Sequence, residues 1–195
     1  MVATVSRGMT LEEYLAYQPE DDAIYELENG ELREMPPESD LNQRIATFLL
    51  IYFAQLGIPS YCLRIGAEIA VTGSKVSVRV PDLMVLSEEA AIALEGATRA
   101  TIMLDMPKPE LLVEVVSPGK ENITRDYRYK RAQYQARGIN EYWIVDPLTE
   151  KITVLTMNEG LYDEAIFEGS EQLVSAFLQQ NNAEEKLIVS QVLQK

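Results

Sequence analysis

Glu114 stands among six consecutive residues, 111–116, that are otherwise leucine and valine. Such a run reads as a strand buried on both faces, where an ionised side chain is costly unless something pairs with it. Two further carboxylates have comparable surroundings. Asp82 follows Pro81 at the mouth of the apolar run "LMVL", and Glu68 shares a strand face with Arg64, Gly66 and Ala70 in "LRIGAEIAV". Like charges held close in a low dielectric persist only with a shared proton or a bound cation. Carboxylate oxygens suit hard ions, so the cofactor expected is Mg²⁺ or Mn²⁺. Asp82 and Glu114 are the ligands this implies, with Glu68 as a third ligand or a group behind them. Each acid also has a plainer reading: Asp82 as a turn or cap residue, Glu114 as an edge-strand side chain facing solvent, and Glu68 as structural as readily as functional.

Composition narrows the chemistry. The chain has no histidine and one cysteine, Cys62. Ser-His-Asp and Cys-His nucleophiles, histidine-ligated zinc and imidazole bases are therefore excluded. A pair of acids also serves glycosidases, but those clefts are usually lined with aromatics. The one tryptophan, Trp143, lies in the core-like "YWIV", so that reading is set aside. A single cysteine fits a reducing, cytoplasmic location. "MVATVSRGMTLEEYL" has no secretory apolar region, and "ATFLLIYFAQLGI" is too short to cross a membrane and reads as a buried helix.

Net charge is −14, which argues against a surface built for tight, non-specific nucleic-acid binding. The charge is uneven, however. Lys120, Arg125, Arg128, Lys130, Arg131 and Arg137 fall within residues 120–137 against only Glu121 and Asp126, leaving that segment at +4 directly after the Glu114 strand. Arg125, Arg128 and Arg131 are its candidate nucleic-acid contacts. Asp126, Lys130 and Tyr134 recur every four residues, which places them on one helix face. The plain alternative is an exposed Asp126–Lys130 pair worth about 0.3–0.5 kcal/mol.

The elements that must position these groups are legible in outline. Thr10 and Glu13 have capping-box spacing, so a short helix follows. Asn29-Gly30 predicts a hairpin inside "YELENGEL", ended by Pro36 and Pro37. Ser39 or Asp40 caps a helix to about Gln55, with Ile45, Phe48, Leu49 and Tyr52 on its apolar face. Residues 60–73 read as one strand, and residues 75–87 continue the same sheet after a turn at Thr72-Gly73. Residues 87–108 read as an irregular exposed connection with at most one helical turn. After the Glu114 strand comes a helix from Asn122 or Thr124 to Ala136, stopped by Gly138. "EYWIVD" and "KITVLT" pair around Pro147, "LYDEAIF" is a further strand, and the C-terminal part is weakly patterned. The fold class expected is mixed α/β, a central mixed sheet flanked by helices, in one domain over residues 1–195.

"YELENGEL", "VRVPDLMVLS", "LLVEVVSPG" and "RDYRYKRAQYQARGINEYWIVDP" together resemble the Uma-two family of restriction-endonuclease-like proteins, within the PD-(D/E)xK nuclease superfamily. The best-matched core is residues 9–147, and residues 148–195 supply C-terminal strands and a tail. The resemblance implies a restriction-endonuclease-like core, a metal held by Asp82 and Glu114 with the Val115 carbonyl as a further ligand, DNA as substrate, and a homodimer. The superfamily lysine two residues after the glutamate is Val116 here. The resemblance implies its replacement by Lys130, with Asp126 and Tyr134 as accessory groups. Glu26, which matches the family block, is either an accessory acid or an exposed hairpin carboxylate. Asn42 stands where the family often has histidine. The alternative is a nuclease fold without catalysis that binds nucleic acid or a protein.

Overall fold

The computed structural model describes residues 8–20, 23–73, 75–181 and 186–195. Thr10 starts helix α1 (Leu11–Ala16): its hydroxyl accepts from the Glu13 amide while the Glu13 carboxylate accepts from the Thr10 amide at 2.8 Å. Asn29 and Gly30, at φ of 51° and 80°, turn the chain between strands β1 (Tyr25–Glu28) and β2 (Glu31–Glu34). Ser39 caps helix α2 (Asp40–Gln55), and its face of Ile45, Leu49, Tyr52 and Phe53 enters the core.

The two long strands expected next are each divided. Residues 60–73 give a 3₁₀ turn at Ser60–Cys62, then β3 (Leu63–Arg64), then β4 (Glu68–Val71) after Gly66 at φ 73°. Residues 75–87 give β5 (Ser77–Arg79) and β6 (Leu83–Leu86), separated by Val80, Pro81 and Asp82. β4 and β5 belong to one sheet and β3 and β6 to another, so the chain crosses between sheets at each break. The left-handed residue Gly66 permits the first crossing. Proline has no N–H for the ladder and forces the second. The single sheet expected from the sequence is thus two.

Residues 87–108 are also more ordered than their sequence suggests. They contain helix α3 (Glu88–Ala93), capped by Ser87, and strand β7 (Thr101–Ile102), which pairs in parallel with β4. The first sheet then has the order β2-β1-β5-β4-β7.

The second sheet has the order β11 (Leu161–Glu168), β10 (Lys151–Asn158), β9 (Glu141–Asp146), β8 (Pro109–Val115), β6 and β3, with β8 in its interior. β8 runs parallel to β9, and parallel neighbours require a crossover. Helix α4 (Lys120–Thr124), a π-helical segment at Arg125–Lys130 and helix α5 (Arg131–Arg137) supply it, ending at Gly138 with φ 75°. β10 follows antiparallel to β9, and β11 antiparallel to β10.

The core gathers between these layers. Phe53 of α2 meets Trp143 of β9 and Phe177 of helix α6 (Ala176–Gln180) edge-on, with ring centroids 5.7 and 5.4 Å apart. The C-terminal part also forms α7 (Val189–Val192), whose Val189 and Val192 are fully buried. Among the described residues no helix is long and apolar enough to cross a membrane.

Phe53→Ala removes the ring that three elements share, and should cost about 3–5 kcal/mol of unfolding free energy in denaturant titrations. A loss below about 1 kcal/mol would show that this corner of the core repacks freely.

Candidate functional site

Asp82 and Glu114 meet because β6 and β8 pair antiparallel, with Leu83 opposite Val113. Asp82 sits just before β6, and its Oδ2 accepts from the Val115 amide at 2.6 Å, beyond the last pair of that ladder. No described residue donates to its Oδ1. Glu114 is buried on the interior strand, as its apolar neighbours require.

The crossover helix delivers the partner of Glu114. The Lys130 ammonium donates to Glu114 Oε2 at 2.7 Å, and the Tyr134 hydroxyl donates to Oε1 at 2.7 Å. Asp126 and Lys130 are both 1% exposed, so the solvated ion pair that their spacing also allowed is not what forms. The π-helical segment spans both residues, and such segments often mark functional positions. Its widened turn is invisible to a pattern read at helical spacing.

Glu26 belongs to the same cluster and is 1% exposed, not an exposed hairpin carboxylate. Its Oε1 accepts from the Val80 amide at 3.0 Å and lies 3.4 Å from Lys130 Nζ. Its Oε2 accepts from Arg79 Nη1 at 2.7 Å. Arg79 is wholly buried and also donates to Gln133 at 2.8 Å and to Glu28 at 3.2 Å. Sequence reasoning missed Arg79 and Gln133. An arginine in the strand-like "VSVRV" was the one available signal.

Glu68 lies elsewhere. It accepts from Arg99 at 2.7 and 2.8 Å, from the Tyr14 hydroxyl at 2.8 Å and from the Thr101 hydroxyl. These bonds tie α1 and the 87–108 connection to β4, so Glu68 is not brought to the Asp82–Glu114 pair. The three-carboxylate arrangement is corrected to two, because Glu68 stands on the other sheet beside its own arginine.

The basic segment is likewise partly committed. Arg125 donates to Asp126 at 3.1 Å, and Arg131 pairs with Glu164 of β11. Arg128 is exposed and has no ion pair among the described residues.

Burial raises Asp82 to about 7, helped by the charge of Glu38 and opposed by Lys130 and the Val115 amide. Burial likewise raises Glu114 to about 8, because Asp82, Asp126 and Glu26 add to it and outweigh the ammonium. Lys130 moves above its ordinary value, since its three carboxylate neighbours overcome the cost of burial. Glu26 goes the other way, to about 2: Lys130 and Arg79 outweigh its burial.

Two clefts reach this cluster. One, of about 520 Å³, is lined by Asp82, Glu38, Asn42 and Pro81. The other, of about 630 Å³, is lined by Glu26, Arg125, Lys120 and Tyr129. The segment Glu34–Pro36 lines both and divides them. Asn42 donates to Glu38 and to Ser117, each at 2.9 Å, and lies 3.3 Å from the Val115 carbonyl.

The family model Uma2, described as "Putative restriction endonuclease", matches residues 11–184. The chain belongs to the Uma2 family. Among solved structures, that of "a putative nuclease belonging to DUF820" from Anabaena variabilis superposes with a TM-score of 0.69 at 16% identity, covering 95% of this chain and 98% of that one. At that identity the likeness establishes the fold. No curated protein matches the chain. The Uma2 match and the structural likeness agree with the mixed α/β, nuclease-like architecture read from the sequence.

The residues of this Uma2 site suit a hard divalent ion. Asp82, Glu114 and the Val115 carbonyl offer only oxygen donors, and Asp82 Oδ1 is open. Both carboxyls are raised chiefly by burial, with neighbouring carboxylates adding to it, and a cation beside them would offset both effects. Among the described residues no three His, Cys, Asp or Glu side chains form a cage. Mg²⁺ does not need one, since one or two carboxylates with water and substrate phosphate suffice. Each Glu114 oxygen also has a second lone pair beyond its bond to Lys130 or Tyr134.

The raised carboxyls stabilise the metal-free fold below their ordinary values of 3.8 and 4.5, and that contribution is lost as pH rises through about 7 and about 8. Glu26 contributes above 4.5 and loses its contribution towards about 2. The thermal midpoint of metal-free protein should therefore fall between about pH 5 and about pH 8, and the Asp82→Asn/Glu114→Gln pair should flatten the slope. A midpoint that rises across that window contradicts these assignments.

Glu68→Ala leaves Arg99, Tyr14 and Thr101 without their acceptor. It should cost about 1–3 kcal/mol in unfolding experiments yet leave calorimetric Mn²⁺ binding intact. Lost Mn²⁺ binding with unchanged stability would restore Glu68 as a ligand.

Proposed function

We propose that the whole chain acts as one restriction-endonuclease-like domain that hydrolyses phosphodiester bonds in DNA. Asp82 and Glu114, with the Val115 carbonyl, would hold Mg²⁺ or Mn²⁺. A divalent ion held there supplies positive charge that polarises a scissile phosphate and acidifies water. Lys130 orients the attacking water and offsets the charge that builds on the phosphoryl oxygens. Tyr134 and Asp126 keep Glu114 and Lys130 in register. Arg128, with Lys120 at the cleft mouth, draws the DNA backbone towards an otherwise acidic surface. Arg125 and Arg131 reach phosphate only if it displaces their carboxylate partners. The domain works as a homodimer in the cytoplasm.

One observation carries this reading: the 2.7 Å contact between Lys130 and Glu114. It puts an ammonium beside the acid whose own strand offers only Val116 where the superfamily has lysine. Membership of a family described as restriction endonucleases supports the reaction class.

A second reading has its own support. Both Glu114 oxygens already accept hydrogen bonds from within the protein, so Glu114 is satisfied without an ion. A non-catalytic nuclease fold that binds nucleic acid or a protein follows from that. The net charge of −14 fits it as well.

Nicking of supercoiled plasmid in Mg²⁺ or Mn²⁺ separates the two. Wild type should nick, and Asp82→Asn, Glu114→Gln and Lys130→Met should each lose about a hundredfold or more. Inert wild type, or mutants that nick as well as wild type, favours the second reading. Loss in the acids alone keeps the ion and removes the role given to Lys130.

A further inference from the structure

Lys130 has a choice of partners. Its ammonium lies 2.7 Å from Glu114, 3.4 Å from Glu26 and 3.8 Å from Asp126, all buried. Without further control, a buried ammonium among three carboxylates would settle wherever the uncompensated charge is greatest. Two arginines change that balance. Arg79 donates to Glu26 at 2.7 Å, and Arg125 donates to Asp126 at 3.1 Å. Each rival carboxylate thus has its own guanidinium, and Glu114 has none. A guanidinium stays charged throughout the accessible pH range, so this sorting does not switch off.

The position of Arg79 adds a second constraint. Its Nε donates to Gln133 at 2.8 Å, one residue before Tyr134 and three after Lys130. One buried side chain therefore fixes the rival carboxylate and the helix that carries both donors to Glu114.

We propose that Arg79 and Arg125 are positioning residues for Lys130: by compensating Glu26 and Asp126 they leave the Lys130 ammonium to Glu114. This rests on the nuclease reading for its consequence, because a lysine drawn towards Glu26 or Asp126 no longer faces the proposed reaction centre. Arg125 is then a residue of the site rather than a DNA contact. Removing Arg79 leaves Glu26 short of a cation, and Lys130 moves towards it. Removing the Glu26 charge as well returns the ammonium to Glu114.

The direct test is nuclear magnetic resonance on metal-free, full-length protein. It reads through-hydrogen-bond correlations from the Lys130 ammonium nitrogen to side-chain carboxylate carbons. Wild type should correlate with Glu114, Arg79→Met with Glu26, and Arg79→Met/Glu26→Gln with Glu114 again. Turnover of a DNA duplex should follow: about a hundredfold loss of kcat in Arg79→Met with KM little changed, and at least tenfold recovery in the double variant. A merely structural arginine would show no recovery on removing a second charge. Should Arg79→Met fail to fold, Arg125→Met and Arg125→Met/Asp126→Asn make the same comparison at an arginine that lines the second cleft and is less deeply buried. Lys130 staying on Glu114 in both single variants overturns the sorting. Variants that show the correlation shifts beside a wild type that cleaves nothing leave the sorting intact and remove the nuclease reading instead.

Discussion

A lysine and a glutamate, both almost wholly excluded from water, face each other at 2.7 Å on the inner side of a sheet. Neither charge is tolerable there alone, since an unpaired buried ion costs several kcal/mol. Everything around the pair serves to keep it paired. β8 lies inside its sheet, so Glu114 cannot turn to solvent. The crossover from β8 to β9 is obliged to return over the sheet, and it brings Lys130 with it. Tyr134 takes the second Glu114 oxygen, and with Arg79 on Glu26 and Arg125 on Asp126 the acid left over is Asp82.

That surplus gives the site its character. Two carboxyls that ionise only at a cost and an open Asp82 oxygen leave a demand for positive charge that the protein does not answer itself. A cation entering from the Asp82 cleft would answer it. The device by which Asp82 reaches the pair is simple: Pro81 ends one ladder, the chain passes between sheets, and the next residue caps the exposed amide of Val115. The break that divides the expected strand is therefore what builds the site.

Much of this was legible in the residues. The apolar setting of Glu114 foretold its burial, and the four-residue spacing of Asp126, Lys130 and Tyr134 foretold their common side. Capping at Thr10 and Ser39 and the Asn29-Gly30 turn are local signals, and local signals survive folding. What was not legible is long-range. Glu68 has the same apolar context as Glu114, but only the fold reveals that Arg99, 31 residues away, claims it. Arg79 reads as an ordinary strand residue until β1 and α5 close on it. The division into two sheets depends on Gly66 and Pro81, which mark breaks without saying where the chain goes next. The π-helical turn has no sequence signature at this resolution of pattern.

An anomalous diffraction map from crystals grown with Mn²⁺ would show directly whether Asp82 and Glu114 share a cation. A single strong peak is expected within bonding distance of Asp82, Glu114 and the Val115 carbonyl. No peak there, with Lys130 and Tyr134 still holding both oxygens of Glu114, would mean that the protein's own lysine is the only cation the site ever takes.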